Sequence, residues 1–329
     1  MMGLPRHCTA MRILHLSDTH LGIERLVRGA PGGWSRADDL RQAAATALGP
    51  ALRGEVDLVL HTGDLFNRSQ PPPWAVADAA ALLLAVARRV PVVVIPGNHD
   101  RRGLARHLPR SRRLIACDAP TRLVFGELAL GVVPFVGRAE IWAEAARNVT
   151  ARGVDLLLAH QAFDGAVVPG RVFRVGQEQD TVGCRHLPAG VQYVACGHIH
   201  PRQVLQVGAA AVVQPGSTER TSLVERGQTK GYAVWELGRR VTWRFVDLPG
   251  RRMVVVSSEA GIKEVRRGDL CWIAPAFWTP EVERAVSRCG GWLLGPAGPR
   301  PAPRAQRERR PERERRVIER QLDLFTPAP

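Results

Sequence analysis

The sequence predicts an α/β fold that is built on parallel strands, and three observations support this prediction. Five short apolar runs recur along the chain, and each is nearly continuous in hydrophobicity, as in strands that are buried on both faces. Helical patterns separate the first three runs, which favours a right-handed parallel core. Every run ends in polar residues. With 329 residues and 45% hydrophobic content, the chain can bury a large core and form about two domains.

The five runs can be justified one by one from the sequence. They are, in chain order, RILHLSDTH, VDLVLHTGD, VPVVVIPGNHD, VDLLLAH and VQYVACGHIH. The segments 35–53 and 73–89, which separate the first three runs, suit helices, and Pro73 stands where a helix begins. In parallel sheets, sites lie beyond the carboxyl ends of the strands. We therefore expect the polar residues at those ends to meet in one crevice.

These polar residues are of types that bind metal ions. The seven candidate ligands are Asp18, His20, Asp64, Asn98, His160, His198 and His200. Oxygen and imidazole ligands without cysteine suit Mn²⁺, Fe, Zn²⁺ or Mg²⁺ better than a closed structural zinc site. Seven ligands are too many for one ion but suit a pair roughly 3.5–4 Å apart. Gly63 and Gly97 precede two of the ligands, where a tight turn must aim a side chain into the crevice.

The motifs that carry these residues resemble a known family. SDTH, GDLF, GNHD, AH and GHIH are similar to the five motifs of calcineurin-like metallophosphoesterases, over roughly residues 11–250. SDTHLG, LHTGDLF, QPGSTERTS and KGYAVWEL together resemble the SbcD-type DNA double-strand-break repair nucleases, the bacterial relatives of the meiotic recombination nuclease. The resemblance implies a layered α/β-β/α metallophosphoesterase sandwich with a short C-terminal cap region and a disordered tail.

The resemblance also implies a role for each residue of the crevice. Asp18, His20, Asp64 and His200 would hold one ion, Asn98, His160 and His198 would hold the second, and Asp64 would bridge the two. The ions, with Mn²⁺ expected, would make an attacking water available near neutral pH. His99 would stabilise developing charge on the scissile phosphate or protonate the leaving oxygen, and Asp100 would orient or charge the ring of His99.

Several other polar residues of these motifs have a structural interpretation. Asn67 stands where relatives more often have Asp or His, and it is either a turn residue or a support for Asp64. His15 should be packed and His61 should lie in the core or beside the ligands. The remaining histidines, expected at the surface, are His7, His107 and His186.

The composition indicates which binding partners and which cellular compartment to expect. Lys and Arg total 46 against 31 Asp and Glu, and the net charge of +15 favours a polyanion such as DNA, although GC-rich coding would also produce an arginine excess. The six cysteines form no C-x-x-C pair and are expected to be reduced thiols, mostly buried, in a cytoplasmic, nucleoid-associated protein. No apolar run reaches membrane-spanning length.

The resemblance, together with the change of composition near residue 295, implies five segments. They are a flexible extension (1–10), a catalytic domain (11–250), a small truncated capping region (251–295), a disordered basic linker (296–320) and a clamp-binding peptide (321–325). Within the capping region, residues 279–290 predict a helix with Thr279 as its N-cap. The tryptophans of that region are expected to form its core rather than to stack on bases.

The tail carries a possible recruitment signal. QLDLF, formed by Gln321, Leu322, Asp323, Leu324 and Phe325, matches the peptide by which bacterial polymerases and repair proteins dock on the β sliding clamp, the alternative being an incidental amphipathic tail. SbcD-type nucleases usually bind an SbcC-type ATPase through C-terminal helices. Such helices are not evident in residues 300–320, whose large apolar residues are Val317 and Ile318 alone. A homodimer is also compatible with the resemblance.

Three functions follow from these observations. The leading one is a two-metal DNA phosphodiesterase, an exo- or endonuclease of DNA repair, tethered to the clamp. The first alternative is a stand-alone nucleotide or small-molecule phosphodiesterase of the same superfamily. The second is a metal-free scaffold, which is disfavoured because every ligand position is retained.

Overall fold

The computed structural model describes residues 10–25, 27–101 and 103–295. Its strands are, in chain order, β1 (Met11–Leu16), β2 (Val27–Arg28), β3 (Leu58–His61), β4 (Val92–Val94), β5 (Leu114–Ala116), β6 (Thr121–Phe125), β7 (Leu128–Val133), β8 (Leu156–His160), β9 (Val167–Val168), β10 (Arg171–Val172), β11 (Tyr193–Gly197), β12 (Gln203–Val207), β13 (Ala210–Gln214), β14 (Lys230–Leu237), β15 (Val241–Leu248), β16 (Met253–Val256), β17 (Leu270–Ile273) and β18 (Trp292–Leu294). Its α-helices are α1 (Arg36–Leu52), α2 (Pro73–Ala87), α3 (Ala139–Thr150), α4 (Glu259–Lys263) and α5 (Pro280–Arg288). None of these helices is long and apolar enough to cross a bilayer.

The first sheet contains the predicted parallel core. Its strand order is β15-β14-β1-β3-β4-β5, and β1, β3, β4 and β5 run parallel. The antiparallel pair β14 and β15 extends the sheet beyond β1. Helices α1 and α2 form where the sequence predicts them. The Asp38 carboxylate accepts a hydrogen bond from the backbone N–H of Ser35 at 2.9 Å, which caps α1.

A second sheet of six strands packs against the first. Its order is β12-β13-β11-β8-β7-β6, with β13, β11, β8 and β7 parallel. One apolar cluster fills the space between the sheets and includes Ile13, Leu60, Leu130 and Trp235. The outer faces are covered by α1 and α2 on the first sheet and by α3 on the second. The layered α/β-β/α sandwich expected from the resemblance is therefore confirmed.

The residues that follow β15 form a smaller unit with a core of its own. Strands β16, β17 and β18 pair in parallel, and helices α4 and α5 pack beside them. The predicted N-cap of α5 is present, since Thr279 Oγ1 accepts the backbone N–H of Val282 at 3.2 Å. Strand β2, from the amino-terminal part of the chain, pairs antiparallel with β18 and completes the sheet. This unit is therefore attached to the sandwich by sheet pairing as well as by chain continuity.

Two of the four described histidines outside the crevice, His15 and His61, are placed as expected. His15 is packed in the core, where its Nδ1 accepts a hydrogen bond from Trp235 Nε1 at 3.3 Å, and His61 is also buried. The expectation of a surface position for His186 is wrong. This residue is 6% exposed, because its Nδ1 accepts the backbone N–H of Gly183 at 3.0 Å and closes a 3₁₀ turn. His107 is half-buried, and its Nε2 donates a hydrogen bond to the Ser69 carbonyl.

Some sequence predictions lie outside the described residues. They concern most of the extension 1–10, the basic linker 296–320 with its expected lack of ATPase-docking helices, and the peptide 321–325. His7 and Cys8 belong to the same group. Of the described cysteines, Cys117, Cys196 and Cys271 are buried, Cys184 and Cys289 are exposed, and all are free thiols.

Candidate metal centre

The carboxyl ends of strands from both sheets meet in one crevice. Thr62 follows β3 in the first sheet, and its carbonyl accepts a hydrogen bond from the Nδ1 of His160, the last residue of β8 in the second sheet, at 2.7 Å. The backbone N–H of His198, which follows β11, donates to Asp18 Oδ2 at 3.2 Å. The structure thus brings the polar residues of all five runs together, as the sequence predicts. It also shows that they come from two sheets.

Four residues of the crevice have a backbone conformation that is rare for side chains other than glycine. The φ angles of Asp18, His20, Asp64 and His198 are 53°, 47°, 52° and 82°. Left-handed conformations of this kind cost on the order of 1 kcal/mol or more each, and they persist where the surrounding structure holds them. Here the loops hold each other, since the N–H of Asp18 donates to the Gly63 carbonyl and that of His20 to the Asp64 carbonyl, both at 3.0 Å. These backbone angles direct the four side chains into the crevice.

The two glycines singled out in the sequence both leave room for side chains of the crevice, and a Cβ atom at Gly63 would lie 2.1 Å from His160 Nδ1. Gly63 has φ +102° and makes the tight turn that was expected. Gly97 has no such angle. A Cβ atom there would collide with the Asp64 carboxylate and the His160 ring, so position 97 requires a residue without a side chain.

One group of candidate ligands consists of Asp18, His20 and His200. The Nε2 atoms of His20 and His200 are 3.0 Å apart, and Asp18 Oδ1 lies 3.9 Å from His200 Nε2. Within the described residues, Asp18 Oδ1 and His20 Nδ1 are buried polar atoms without a hydrogen-bond partner. Buried atoms of this kind normally have partners, so a ligand such as a cation is expected here. Donor atoms of these three residues lie within 4.8 Å of one another, which suits a metal ion.

A second group surrounds Asn98. Its Oδ1 lies 3.1 Å from His160 Nε2 and 2.9 Å from His198 Nδ1. Asp64 lies between the two groups, because its Oδ2 is 3.4 Å from His160 Nε2 and 3.8 Å from His20 Nε2. Its other oxygen, Oδ1, accepts the backbone N–H of His99 at 2.8 Å. One carboxylate oxygen is therefore fixed by the backbone and the other faces both groups, so the residues present fit two divalent ions.

Burial and neighbouring charge set the protonation of the candidate ligands. Burial lowers the pKa of His20 and of His198 to about 3, so both rings are neutral and keep a lone pair for a metal. Burial alone would raise the pKa of Asp64, but the nearby imidazoles of His160 and His20 hold that pKa well below its usual range. Burial likewise opposes the charge on His160, but Asp64 raises the pKa of His160 to about 9.

The expected role of Asp100 needs correction. In the part of the chain that the structure describes, the hydrogen bonds of the Asp100 carboxylate come from main-chain groups and not from the His99 ring. It accepts the backbone N–H groups of Leu65, Phe66 and Gly97 at 3.0, 2.7 and 3.2 Å, and so ties the GDLF loop to the GNHD loop. Burial, with a contribution from the Asp64 charge, raises the pKa of Asp100 to about 7.

The ring of His99 is oriented by a different residue. Its Nδ1 donates to the main-chain carbonyl of Asn67 at 3.0 Å. Since a main-chain atom makes this contact, the side chain at position 67 is not required for it, which fits the departure from the family pattern. The His99 side chain is 43% exposed, and its Nε2 lies 4.0 Å from Asp64 Oδ2. His99 is therefore the most accessible histidine at the mouth of the crevice.

Sequence reasoning missed two residues that contact candidate ligands. Glu225 accepts a hydrogen bond from His200 Nδ1 at 2.9 Å. Phe135 packs its ring against those of His160 and His198, with centroids 6.2 and 5.7 Å apart. An acidic residue shortly after PGSTERTS was a visible signal for Glu225. No sequence signal distinguished Phe135 from an ordinary core aromatic.

A cleft of about 540 Å³ opens onto the crevice. Its lining includes three histidines of the crevice and three charged residues, Glu24, Arg25 and Arg68. Both arginines are exposed, and neither guanidinium has an ion-pair partner in the part of the chain that the structure describes. Two arginines against one glutamate leave a net positive charge beside the cleft, which attracts anionic ligands.

Comparison with known proteins agrees with this geometry. The family described as calcineurin-like phosphoesterase matches residues 11–202. The DNA double-strand break repair protein Mre11 of Thermoplasma acidophilum is 29% identical over 236 residues, which cover 63% of this chain and 56% of that protein. The Mre11 protein of Archaeoglobus fulgidus is 29% identical over 244 residues, 68% of this chain and 53% of that protein.

A bacterial protein is also similar. The SbcD component of the nuclease SbcCD of Bacillus subtilis is 27% identical over 297 residues, which cover 78% of this chain and 74% of that protein. The chain spans about half the length of the archaeal relatives. The resemblance that the five motifs carry is confirmed, and the family match covers more than half of the sequence. The chain belongs to the calcineurin-like phosphoesterase family.

Proposed function

We propose that this protein is a two-metal phosphodiesterase that cleaves DNA. The observation that carries the proposal is the position of Asp64, whose Oδ2 faces His20 on one side and His160 on the other. A carboxylate shared by two groups of ligands is the arrangement that a pair of ions needs. The names of the relatives, which refer to DNA double-strand break repair and to a nuclease, support DNA as the substrate.

Seven side chains would hold the ions. One ion would be held by Asp18, His20, Asp64 and His200, and the other by Asp64, Asn98, His160 and His198. Such a pair, when bound, supplies an activated water and stabilises negative charge on the reacting phosphate. We propose Mn²⁺ as the native metal, which the family resemblance implies; the mixed imidazole and oxygen ligands are compatible with it and also with Fe, Zn²⁺ or Mg²⁺.

His99 would act on the substrate and not on the metals. Its ring packs edge-on against His20 with centroids 4.8 Å apart, and the Asn67 carbonyl holds Nδ1. The Nε2 atom is thereby left to face the cleft. From this position it can donate a hydrogen bond or a proton to the phosphate oxygen that carries the developing charge.

We expect His99→Ala to keep both ions and to lose turnover. Loss of a general acid typically costs about 10²- to 10⁴-fold in rate. Metal content per chain after gel filtration and hydrolysis of DNA would be measured on the same preparation, with His107→Ala as the matched histidine control. Loss of one ion from His99→Ala would contradict this role, since Nε2 is close enough to Asp64 and His20 to be a ligand.

The DNA proposal is separated from the small-molecule alternative by substrate choice. With Mn²⁺ added, we expect the protein to cut hairpin, blunt double-stranded or single-stranded DNA, and the same assay distinguishes exonuclease from endonuclease products. Cyclic nucleotides and bis-p-nitrophenyl phosphate serve as the competing substrates. Efficient cleavage of cyclic nucleotides together with intact DNA would reject the DNA proposal in favour of a small-molecule phosphodiesterase.

Arg25 and Arg68 provide a sharper version of this test. If a polynucleotide lies in the cleft, Arg25→Ala and Arg68→Ala should each weaken DNA binding and lower the slope of log K against log salt by about 1. Hydrolysis of bis-p-nitrophenyl phosphate, which has no flanking phosphates, should stay at the wild-type rate. The matched control is Arg239→Ala, in the turn between β14 and β15 at the opposite end of the sheet. Unchanged DNA binding in both cleft variants would contradict the placement of the polynucleotide in this cleft.

We further propose that residues 321–325 dock on the β sliding clamp. The support is the match of QLDLF to the docking peptide at all five positions. Gln321 would supply an amide to a polar subsite, and Leu322, Leu324 and Phe325 would fill an apolar cleft. The arginine-rich segment before the peptide is long enough to let a docked enzyme reach DNA nearby.

Deleting residues 321–325 should abolish capture by immobilised β clamp and leave oligonucleotide cleavage unchanged, because the peptide would recruit the enzyme without contributing to its chemistry. Capture and cleavage would be measured on the same preparations. Deleting residues 326–329 instead is the matched control and should preserve capture. Undiminished capture after loss of QLDLF would exclude the docking proposal.

A further inference from the structure

Glu225 is a buried carboxylate that contacts His200 from the side away from the crevice. Its Oε1 accepts a hydrogen bond from His200 Nδ1 at 2.9 Å, and its side chain is 9% exposed. The other ring nitrogen of His200, Nε2, points toward His20 and Asp18. Glu225 is the last residue of a short 3₁₀ turn, Leu223–Glu225, which follows the PGSTERTS segment.

Two neighbours fix Glu225 in place. Thr221 donates to it twice, from Oγ1 to Oε1 at 2.7 Å and from its backbone N–H to Oε2 at 3.2 Å. Lys230 Nζ pairs with Oε2 at 2.7 Å. Every strong acceptor position of this carboxylate is thus occupied, so it has little freedom to turn away from His200.

Lys230 is itself anchored to the fold. Its Nζ donates to Ser217 Oγ and Gln228 Oε1, both at 2.8 Å, and to the His200 carbonyl at 3.3 Å. The residue is 3% exposed, and it is the first residue of β14, which pairs with β1 in the first sheet. The ammonium therefore connects a rigid strand to both the main chain of His200 and the partner of its ring.

The contact fixes which nitrogen of His200 carries hydrogen. A carboxylate only accepts, so Nδ1 must donate and Nε2 keeps its lone pair toward the crevice. His160 has an equivalent arrangement in the other group, where Nδ1 donates to the Thr62 carbonyl. Partners of this kind fix the tautomer and the ring orientation of metal-binding histidines, and their loss typically weakens metal affinity.

We infer that Glu225 and Lys230 are positioning residues that hold His200 for the ion bound by Asp18, His20, Asp64 and His200. This inference rests on the proposed two-metal centre. Stability alone is a weaker explanation, because a buried ion pair contributes little net stability compared with apolar residues of similar volume.

The test is a calorimetric titration of the full chain with Mn²⁺ after removal of metal by a chelator. Wild-type protein should bind two ions. Glu225→Ala should weaken one of them by about 10- to 100-fold and leave the affinity for the other unchanged. The electron paramagnetic resonance signal of a spin-coupled manganese pair should be replaced by that of isolated Mn²⁺ at the same metal load.

A second variant guards against loss of folding, because Glu225→Ala leaves the Lys230 ammonium buried without its carboxylate. Glu225→Leu combined with Lys230→Met removes both charges and keeps the volume filled. It should melt close to wild type without metal and still show the selective loss of one ion. The control is Glu219→Gln, which alters another buried carboxylate of the same segment, one that pairs with Arg36.

The outcomes separate the two proposals. Wild-type affinity for both ions in both Glu225 variants would overturn the inference and leave the two-metal centre standing. An equal loss of both ions, in step with a lower melting temperature, would also overturn it by showing a merely structural role. Failure of wild-type protein to bind a pair of ions would overturn the two-metal centre itself.

Discussion

The main constraint on this structure is that two carboxylates are buried among imidazoles where the two sheets meet. Asp18 and Asp64 are both nearly inaccessible, and charges removed from water are costly unless they are paired. Asp64 is compensated by the His160 ring and a backbone N–H, whereas Asp18 keeps an oxygen without a partner among the described residues. Burial raises the pKa of Asp18, and a cation bound beside its free oxygen would stabilise the charged form.

The backbone around the crevice carries a related cost. Left-handed conformations at Asp18, His20, Asp64 and His198 are each unfavourable, and the apolar cluster between the sheets supplies the stability that offsets them. The strained residues follow strands that are themselves fully packed. A rigid sandwich can therefore hold its loops in positions that isolated loops would leave, which is the arrangement that a preorganised site requires.

The sequence predicted those parts of the structure that depend on local pattern. Strand runs, the helices α1, α2 and α5, and the ligand residues at the strand ends all carry signals within a few residues of each other. The division of the strands between two sheets carries no such signal, because the runs before His160 and His198 have the same apolar character as the run before Asp64. Strand β2 is another case, since two residues pair with a strand far away in the chain.

The side-chain contacts around the candidate ligands were less predictable than the strands and helices, because they also depend on residues that the fold brings together. Asp100 stands next to His99 in the chain, yet its carboxylate turns to the backbone of the GDLF loop. Glu225 reaches His200 only because the chain folds back after PGSTERTS, and His186 is buried only because it closes its own turn. Side-chain direction in loops is decided by tertiary packing, which neighbouring residue types do not encode.

Anomalous scattering from a crystal of the protein grown with manganese would locate the ions. Two anomalous peaks are expected on either side of Asp64 Oδ2, one among Asp18, His20 and His200 and the other among Asn98, His160 and His198. A single peak elsewhere, or a crevice with no peak and with these side chains in unrelated orientations, would contradict the proposed two-metal centre.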